Sequence, residues 1–348
     1  MTPKICCSAL LAIATLAGLA APAHAAPTDH VLVVYQAISI KIHADGSSLE
    51  DRNEVLRALD AAGARALSTY SIPYQAQRQS VRVIEGSVVK GDDPQTLIDP
   101  TAAHDEPVAA VTGAPAYKDA RRVVVTLANV VPGSVVRIHT ERTTRQSFLP
   151  GLYGAFDILP RTSPIQEATY DISAPSAMHL RVQANELQGG LTHDGAIDHW
   201  SYMASKLPSL YNVATTSDLL AKSPFIAISQ ADSTDQVATL YLRRTRAPQR
   251  ISLELQQLAD TLGADAIDPD VLIHRYYSWI NDHVRLVDLP LEMGLLKPRK
   301  AEEILLSGYG TSEDRVIVLQ ALMGAKDLAA DLALVPTLPV TWTTRVPA

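Results

Sequence analysis

Residues Gly308 to Met323 lead two glycines, Gly308 and Gly310, into a helix that is apolar on almost every side. Thr311 suits the N-cap, and Asp314 three residues on imitates the acid of a capping box. From Val316 to Met323 only Gln320 interrupts the apolar run. Such a helix has no face to offer water, so the fold must cover it with other elements. The alternation Asp331, Leu332, Ala333, Leu334, Val335 reads as a strand leaving it. A small polar residue behind a glycine loop, here Ser312, stands where cysteine-type nucleophiles sit, because a helix N-terminus stabilises a thiolate.

The elements leading into this helix are helical too. Leu253, Leu255, Leu258, Ala259 and Leu262 share one face of a helix ended at Gly263. Asp268-Pro269 starts another, with the acid at N-cap and proline at N1. Leu272, Tyr276, Trp279, Ile280 and His283 then share its face, and residues 284 to 287 should be extended. Before residue 245 the period is two. Strands are expected at Val31 to His43, Val81 to Lys90, Gln166 to Ser173, His179 to Asn185, Asp198 to Ala204, Phe225 to Ser229 and Gln236 to Arg243. Glu54 to Leu59 and Leu67 to Tyr74 read as a pair around Ala62-Gly63, the first equally a short helix. Arg122 to Val131 and Ser134 to Thr144 read as a hairpin turned at Pro132-Gly133. Asp99 to Pro115 reads as a loop, and Lys206 to Pro224 as a crossover. Short strands at this spacing point to sandwich-like β structure.

The chain has 348 residues, enough for two or three domains. Residues 1 to 25 read as a secretory signal: Lys4, an apolar run from Leu10 to Leu19, and Ala23-His24-Ala25 as cleavage pattern. The apolar run is too short for a stable span. Export to the periplasm, or secretion, is the expected localisation. Both cysteines, Cys6 and Cys7, lie inside that signal, so the cleaved chain would hold neither disulfide nor thiolate. Cleavage would also remove Lys4 and no acid, leaving the chain one charge more negative than the −7 of the whole. An acidic chain without a basic block argues against nucleic acid and against an anionic membrane surface as partners.

The five positions Gly310, Thr311, Ser312, Glu313 and Asp314 resemble the loop of the transglutaminase-like core of exported bacterial proteins, which usually reads Gly-Asp-Cys-Lys-Asp. The lead-in agrees: Tyr277-Ser278-Trp279-Ile280, Val284-Arg285-Leu286, then Pro298, Arg299 and Ala301 to Leu305. The β half resembles the domain of unknown function that often precedes this core, through Ile72-Pro73-Tyr74, Val123-Val124-Val125, Val131-Pro132-Gly133 and Phe148-Leu149-Pro150-Gly151. The resemblance implies a cysteine nucleophile at the position held here by Ser312, a histidine base on a later strand and an orienting aspartate after it. No histidine follows Ser312 in this sequence, and Asp327 and Asp331 lie too early for the orienting role.

Serine needs an adjacent base to attack a carbonyl. Ser312 is therefore read as a polar residue of the first helical turn, with a serine nucleophile served by His283 or another upstream histidine as the alternative. His274 and His283 are nine apart and share no face well. Asp314 is read as a structural carboxylate favoured by the helix dipole. Glu302 and Glu303 are read as a solvated face with a salt bridge rather than an acid/base pair. His193 and His199, around Asp194-Gly195 and Asp198, are read as a solvated hairpin rather than a zinc site. The arginines of residues 243 to 250 are read as a solvated linker rather than an anion site.

The expected fold is mixed and mainly β. Residues 26–245 are expected to form a β-sandwich-like region, either one unit or two β units with a break near 205–224. Residues 246–348 form an incomplete α+β transglutaminase-like (papain-like) core. The expected function is a secreted, catalytically inactive relative that binds a protein, peptide or envelope component, with no cofactor and no metal. A weak hydrolase or acyltransferase using Ser312, and a truncated gene product, are the alternatives.

Overall fold

The computed structural model describes residues 29–91, 96–97, 103–210, 218–219, 222–246, 251–295 and 297–333. The expected signal at 1–25 with its two cysteines, residues 99–102 of the expected loop, much of the 206–224 crossover, and Leu334 and Val335 lie outside the described residues. The fold is mixed and mainly β: a β-rich region followed by helices with short strands.

The β region is one long sheet with two lids. Its strands are β1 (Val31–Ile42), β2 (Ser48–Ala58), β3 (Thr69–Gln75), β4 (Gln79–Val89), β5 (Thr96–Leu97), β6 (His104–Pro107) and β7 (Ala120–Thr126). They continue with β8 (Val135–Thr144), β9 (Gly154–Ile158), β10 (Ile165–Pro175), β11 (Arg181–Asn185), β12 (Gln188–Asp194), β13 (Ile197–Leu207) and β14 (Phe225–Ser229). The long sheet has 8 strands in the order β12-β13-β10-β1-β2-β8-β4-β5. Its pairs are antiparallel except β1 with β10, where Ile38 lies opposite Tyr170. One lid is β3-β7-β6 and the other β11-β14-β9.

The alternation expected from period two carries the packing. Ile38, Ile40 and Ile42 of β1 and Tyr170 and Ile172 of β10 point to one side, against Ile226 and Ile228 of β14. Every residue of β14 is buried, as a central lid strand requires. Under the other lid, Val136 and Ile138 of β8 face Val125 and Leu127 across the layers. Burying each such side chain stabilises the fold by roughly 1.5–3 kcal/mol.

Most of the expected strands form, but β5, β9 and β12 were not expected, and two pairings differ from the sequence reading. β7 and β8 are not a hairpin. β7 pairs with β3 and β6, and β8 with β2 and β4. The turn at Pro132-Gly133 does form, with Ser134 N–H donating to Val131 O at 3.0 Å and Gly133 at φ 88. Gly133 N–H also donates to Ala58 O at 2.8 Å, which anchors the turn to the end of β2 and moves the chain from lid to long sheet. The apolar faces of β7 and β8 thus meet face to face rather than edge to edge. Likewise residues 54–59 and 67–74 do not pair: a short helix, α1 (Ala61–Ala66), carries the chain from the long sheet to the lid. The loop read over 99–115 includes β6 and 3-10 turns at Ala109–Val111 and Pro115–Tyr117.

Residues 236–243 are helical rather than extended, within α2 (Thr234–Arg246). Asp235 in its first turn and Arg243, Arg244 and Arg246 in its last suit the helix dipole. After it come α3 (Leu253–Leu262), α4 (Pro269–His283), α5 (Ala301–Ser307) and α6 (Ser312–Gly324). The two-residue strands β15 (Arg285–Leu286) and β16 (Tyr309–Gly310) pair in parallel. Ile317, Val318, Ala321 and Leu322 of α6 pack on Leu255 and Ala259 of α3, Leu272, Tyr276 and Ile280 of α4, and Ile304 of α5. The helix expected to be covered all round is covered on that face, while Val316 is 44% exposed. Asp331 to Ala333, expected to begin a strand, have no regular structure.

Candidate functional site: the loop at Gly310

The loop is fixed from both ends. α5 stops at Gly308, whose φ of 67 lets its N–H reach Ile304 O at 3.0 Å. β16 then rides on β15, with Val287 N–H donating to Gly310 O at 2.8 Å. At Gly310 a Cβ would lie 2.8 Å from Asp314 Cβ and 3.2 Å from Ile304 Cγ2, so glycine is needed for close packing. Thr311 caps α6 as expected, its hydroxyl accepting from Asp314 N–H at 3.3 Å.

Ser312 is the first residue of α6 and is exposed. Among the described residues no hydrogen bond joins its hydroxyl to an imidazole. The His283 ring is held within its own helix: its Nδ1 donates to Trp279 O at 2.8 Å, and its ring stacks on Trp279 at 4.3 Å. His274 is exposed on α4. The two residues after Ser312 point inward. The Glu313 carboxylate pairs with Arg244 of α2, both side chains 7% exposed, and accepts from Tyr241 OH at 3.0 Å. Arg244 also donates to Leu295 O at 2.6 Å and lies 4.5 Å from the centre of the Phe148 ring. The solvated-linker reading thus fails at Arg244, because a buried carboxylate of the same chain claims it; Pro248 and Arg250 lie outside the described residues.

Asp314 is 2% exposed. It does not close a capping box with the Thr311 backbone. Its carboxylate accepts from Tyr117 OH, which arrives from the β region on the 3-10 turn Pro115–Tyr117. The same phenol oxygen accepts from Thr311 N–H at 3.2 Å. Arg299 Nη1 stands 3.5 Å from Asp314 Oδ2. Burial pushes the Asp314 carboxyl up to about 6, against the pull of Tyr117 and Arg299. Burial and the neighbouring Asp314 raise the Tyr117 hydroxyl, so it remains a donor.

This contact is part of a wider interface. Val111, Ala114, Tyr117 and Ala120 of the β region form one cluster with Val287, and Met293, Leu295 and Tyr309 pack against it. Arg285 donates to Gly113 O at 3.1 Å, and Arg78 to Glu292 O at 2.7 Å. Tyr117 was not singled out by sequence reasoning. It stands alone among Ala, Pro and Lys, and no periodic pattern marks it.

Other candidates sit apart from the loop. Glu302 and Glu303 are solvent-facing and lie 3.8 and 4.0 Å from Lys300. His193 and Asp198 meet at 2.7 Å on the β12–β13 hairpin, and Ser176 donates to the same Asp198 oxygen at 2.5 Å. Among the described residues no three His, Cys, Asp or Glu are grouped to hold a metal ion. A cavity of about 240 Å³ opens between the lids over β2 and β8, lined by Glu50, Arg52, Tyr70, Arg142 and Asp157. There Arg52 meets Glu50 at 3.0 Å, Asp157 at 3.1 Å and Glu54 at 4.0 Å. Burial opposes the charge of Glu50, but Arg142 and Arg52 outweigh it and hold the carboxyl below its ordinary value.

Two comparisons bear on this architecture. The family model for DUF3857, a domain of unknown function with a solved structure, matches residues 44–211, within the β region. A crystal structure of a "putative protease" from Parabacteroides distasonis shares the fold: TM-score 0.73, 17% identity, covering 86% of this chain and 59% of that one. The chain therefore spans 59% of the length of that neighbour. An M1 zinc metallopeptidase from Deinococcus radiodurans matches with a TM-score of only 0.33 at 13% identity, over 57% of this chain and 42% of its own. No curated protein matches.

Proposed function

We propose that this is an exported, non-catalytic relative of the transglutaminase-like proteins, in which the β region binds a protein, peptide or envelope component and the helical module steadies it. One observation carries the reading: the loop that would present a nucleophile is spent on structure. Glu313 and Asp314, directly after Ser312, are buried against Arg244 and Tyr117. Ser312 itself faces solvent, and His283 is committed to Trp279. A serine hydroxyl without a base beside it is a poor nucleophile. The shared fold with a protein described as a protease fits descent from a catalytic scaffold.

The test is turnover. Purified chain is incubated with peptide amides and with a glutamine donor plus an amine acceptor. The expected result is the same background rate for the chain and for Ser312→Ala. Turnover that disappears in Ser312→Ala would mean a serine-dependent hydrolase or acyltransferase instead.

A further inference from the structure

Asp314 is a buried carboxylate whose partners are largely engaged elsewhere. The nearest guanidinium, Arg299, is 3.5 Å from Oδ2. Its own donors reach closer acceptors: Tyr309 O at 2.9 Å, Glu303 O at 2.9 Å and Ser307 Oγ at 2.5 Å. The Tyr117 hydroxyl is the close partner, and it belongs to the β region. Glu313, the residue before it, adds a second negative charge, itself answered by Arg244 and Tyr241 of α2. From β16, the Tyr309 ring lies edge-on to Tyr117 at 6.1 Å and beneath Arg299 at 4.9 Å. A carboxylate so placed is costly to keep ionised.

We propose that the contact between the β region and the helical module is a latch that takes up a proton at Asp314 and closes more tightly in acid. In the closed form the carboxyl is pushed up to about 6, first by burial and then by Glu313, while Tyr117, Arg299 and the Thr311 backbone pull it down. When the contact opens, Asp314 meets water and returns towards 3.8. The closed form binds the proton more readily, so protonation favours closure. The added closure is fully present below the ordinary carboxyl value and is lost as pH rises through about 6. Tyr117 and Tyr241 are raised above their ordinary values by burial and their carboxylate neighbours, so neither titrates in this window. The latch holds whether or not Ser312 has any chemistry.

Hydrogen exchange on the full chain tests it, read as protection of the amides of residues 114, 116–118 and 311–315 after correction for intrinsic rates. From about pH 7.5 to about pH 5 the protection should rise on the order of ten-fold. In Asp314→Asn, neutral at every pH, that rise should vanish. In Tyr117→Phe, which removes the hydrogen bond favouring the ionised form, the midpoint of the rise should move to higher pH; this arm stands if Asp314→Asn fails to fold. An equal rise in Asp314→Asn, an unmoved midpoint in Tyr117→Phe, or falling protection on acidification in the unaltered chain overturns the proposal.

Discussion

Gly310 shows how little room a single position leaves. A methyl group there would meet the Cβ of Asp314 at 2.8 Å, and that atom is pinned by the Tyr117 contact behind it. Gly310→Ala should therefore destabilise the chain by about 1–3 kcal/mol, seen as a lower denaturant midpoint. Its backbone is not in the left-handed region, so the cost is steric. The sequence shows that glycine is there; it does not show what lies against it. The same holds for Asp314 and Glu313. Their place in the first turn of α6 was legible from the cap. Their partners Tyr117 and Arg244 were not, because those come from segments 197 and 69 residues away. Local pattern carries no information about such pairs.

Single elements were readable where one period was unopposed. β1 and β10 alternate, α3 and α4 repeat at helical spacing, and both appear where expected. α2 was misread because its apolar residues satisfy both periods. Val237, Thr239 and Tyr241 alternate, while Val237 and Tyr241 are also one helical turn apart. Tertiary packing of Tyr241 and Thr245 resolves the choice. Pairing was harder still, since a Pro-Gly turn can return a strand to its neighbour or hand it to another layer. On β2 the alternation places Glu50, Arg52 and Glu54 on the inner face, where three carboxylates share Arg52. Arg52→Met would take the cation from Glu54 and Asp157 and leave Glu50 with Arg142 alone. It should cost about 3–5 kcal/mol in chemical denaturation, with a far smaller loss for Arg82→Met, whose pair with Glu141 is exposed.

At the scale of the molecule, Arg244 gathers three distant segments. It pairs with Glu313 of α6, donates to Leu295, and lies against the Phe148 ring between β8 and β9. Arg244→Ala removes all three links and strands the Glu313 carboxylate in a buried place. The expected loss is about 3–5 kcal/mol. Its signature should be separate unfolding midpoints for the two parts, coincident in the unaltered chain, followed by far-UV circular dichroism for the helices and by fluorescence of Trp200 in β13 in chains where Trp279 and Trp342 are replaced by Phe. The resemblance points to a β-rich part followed by an incomplete α+β core. How firmly they are joined had no counterpart in either half read alone.

Tyr117 has a consequence for any attempt to exchange parts between relatives. Its phenol is encoded with the β strands yet finishes the opening turn of α6. A chimera that grafts a foreign helical half onto residues 29–230 keeps the phenol but gambles on its acid. One that imports the front half inherits the acid without its cap. Compatibility across such a graft depends on both side chains, and they should be transplanted together.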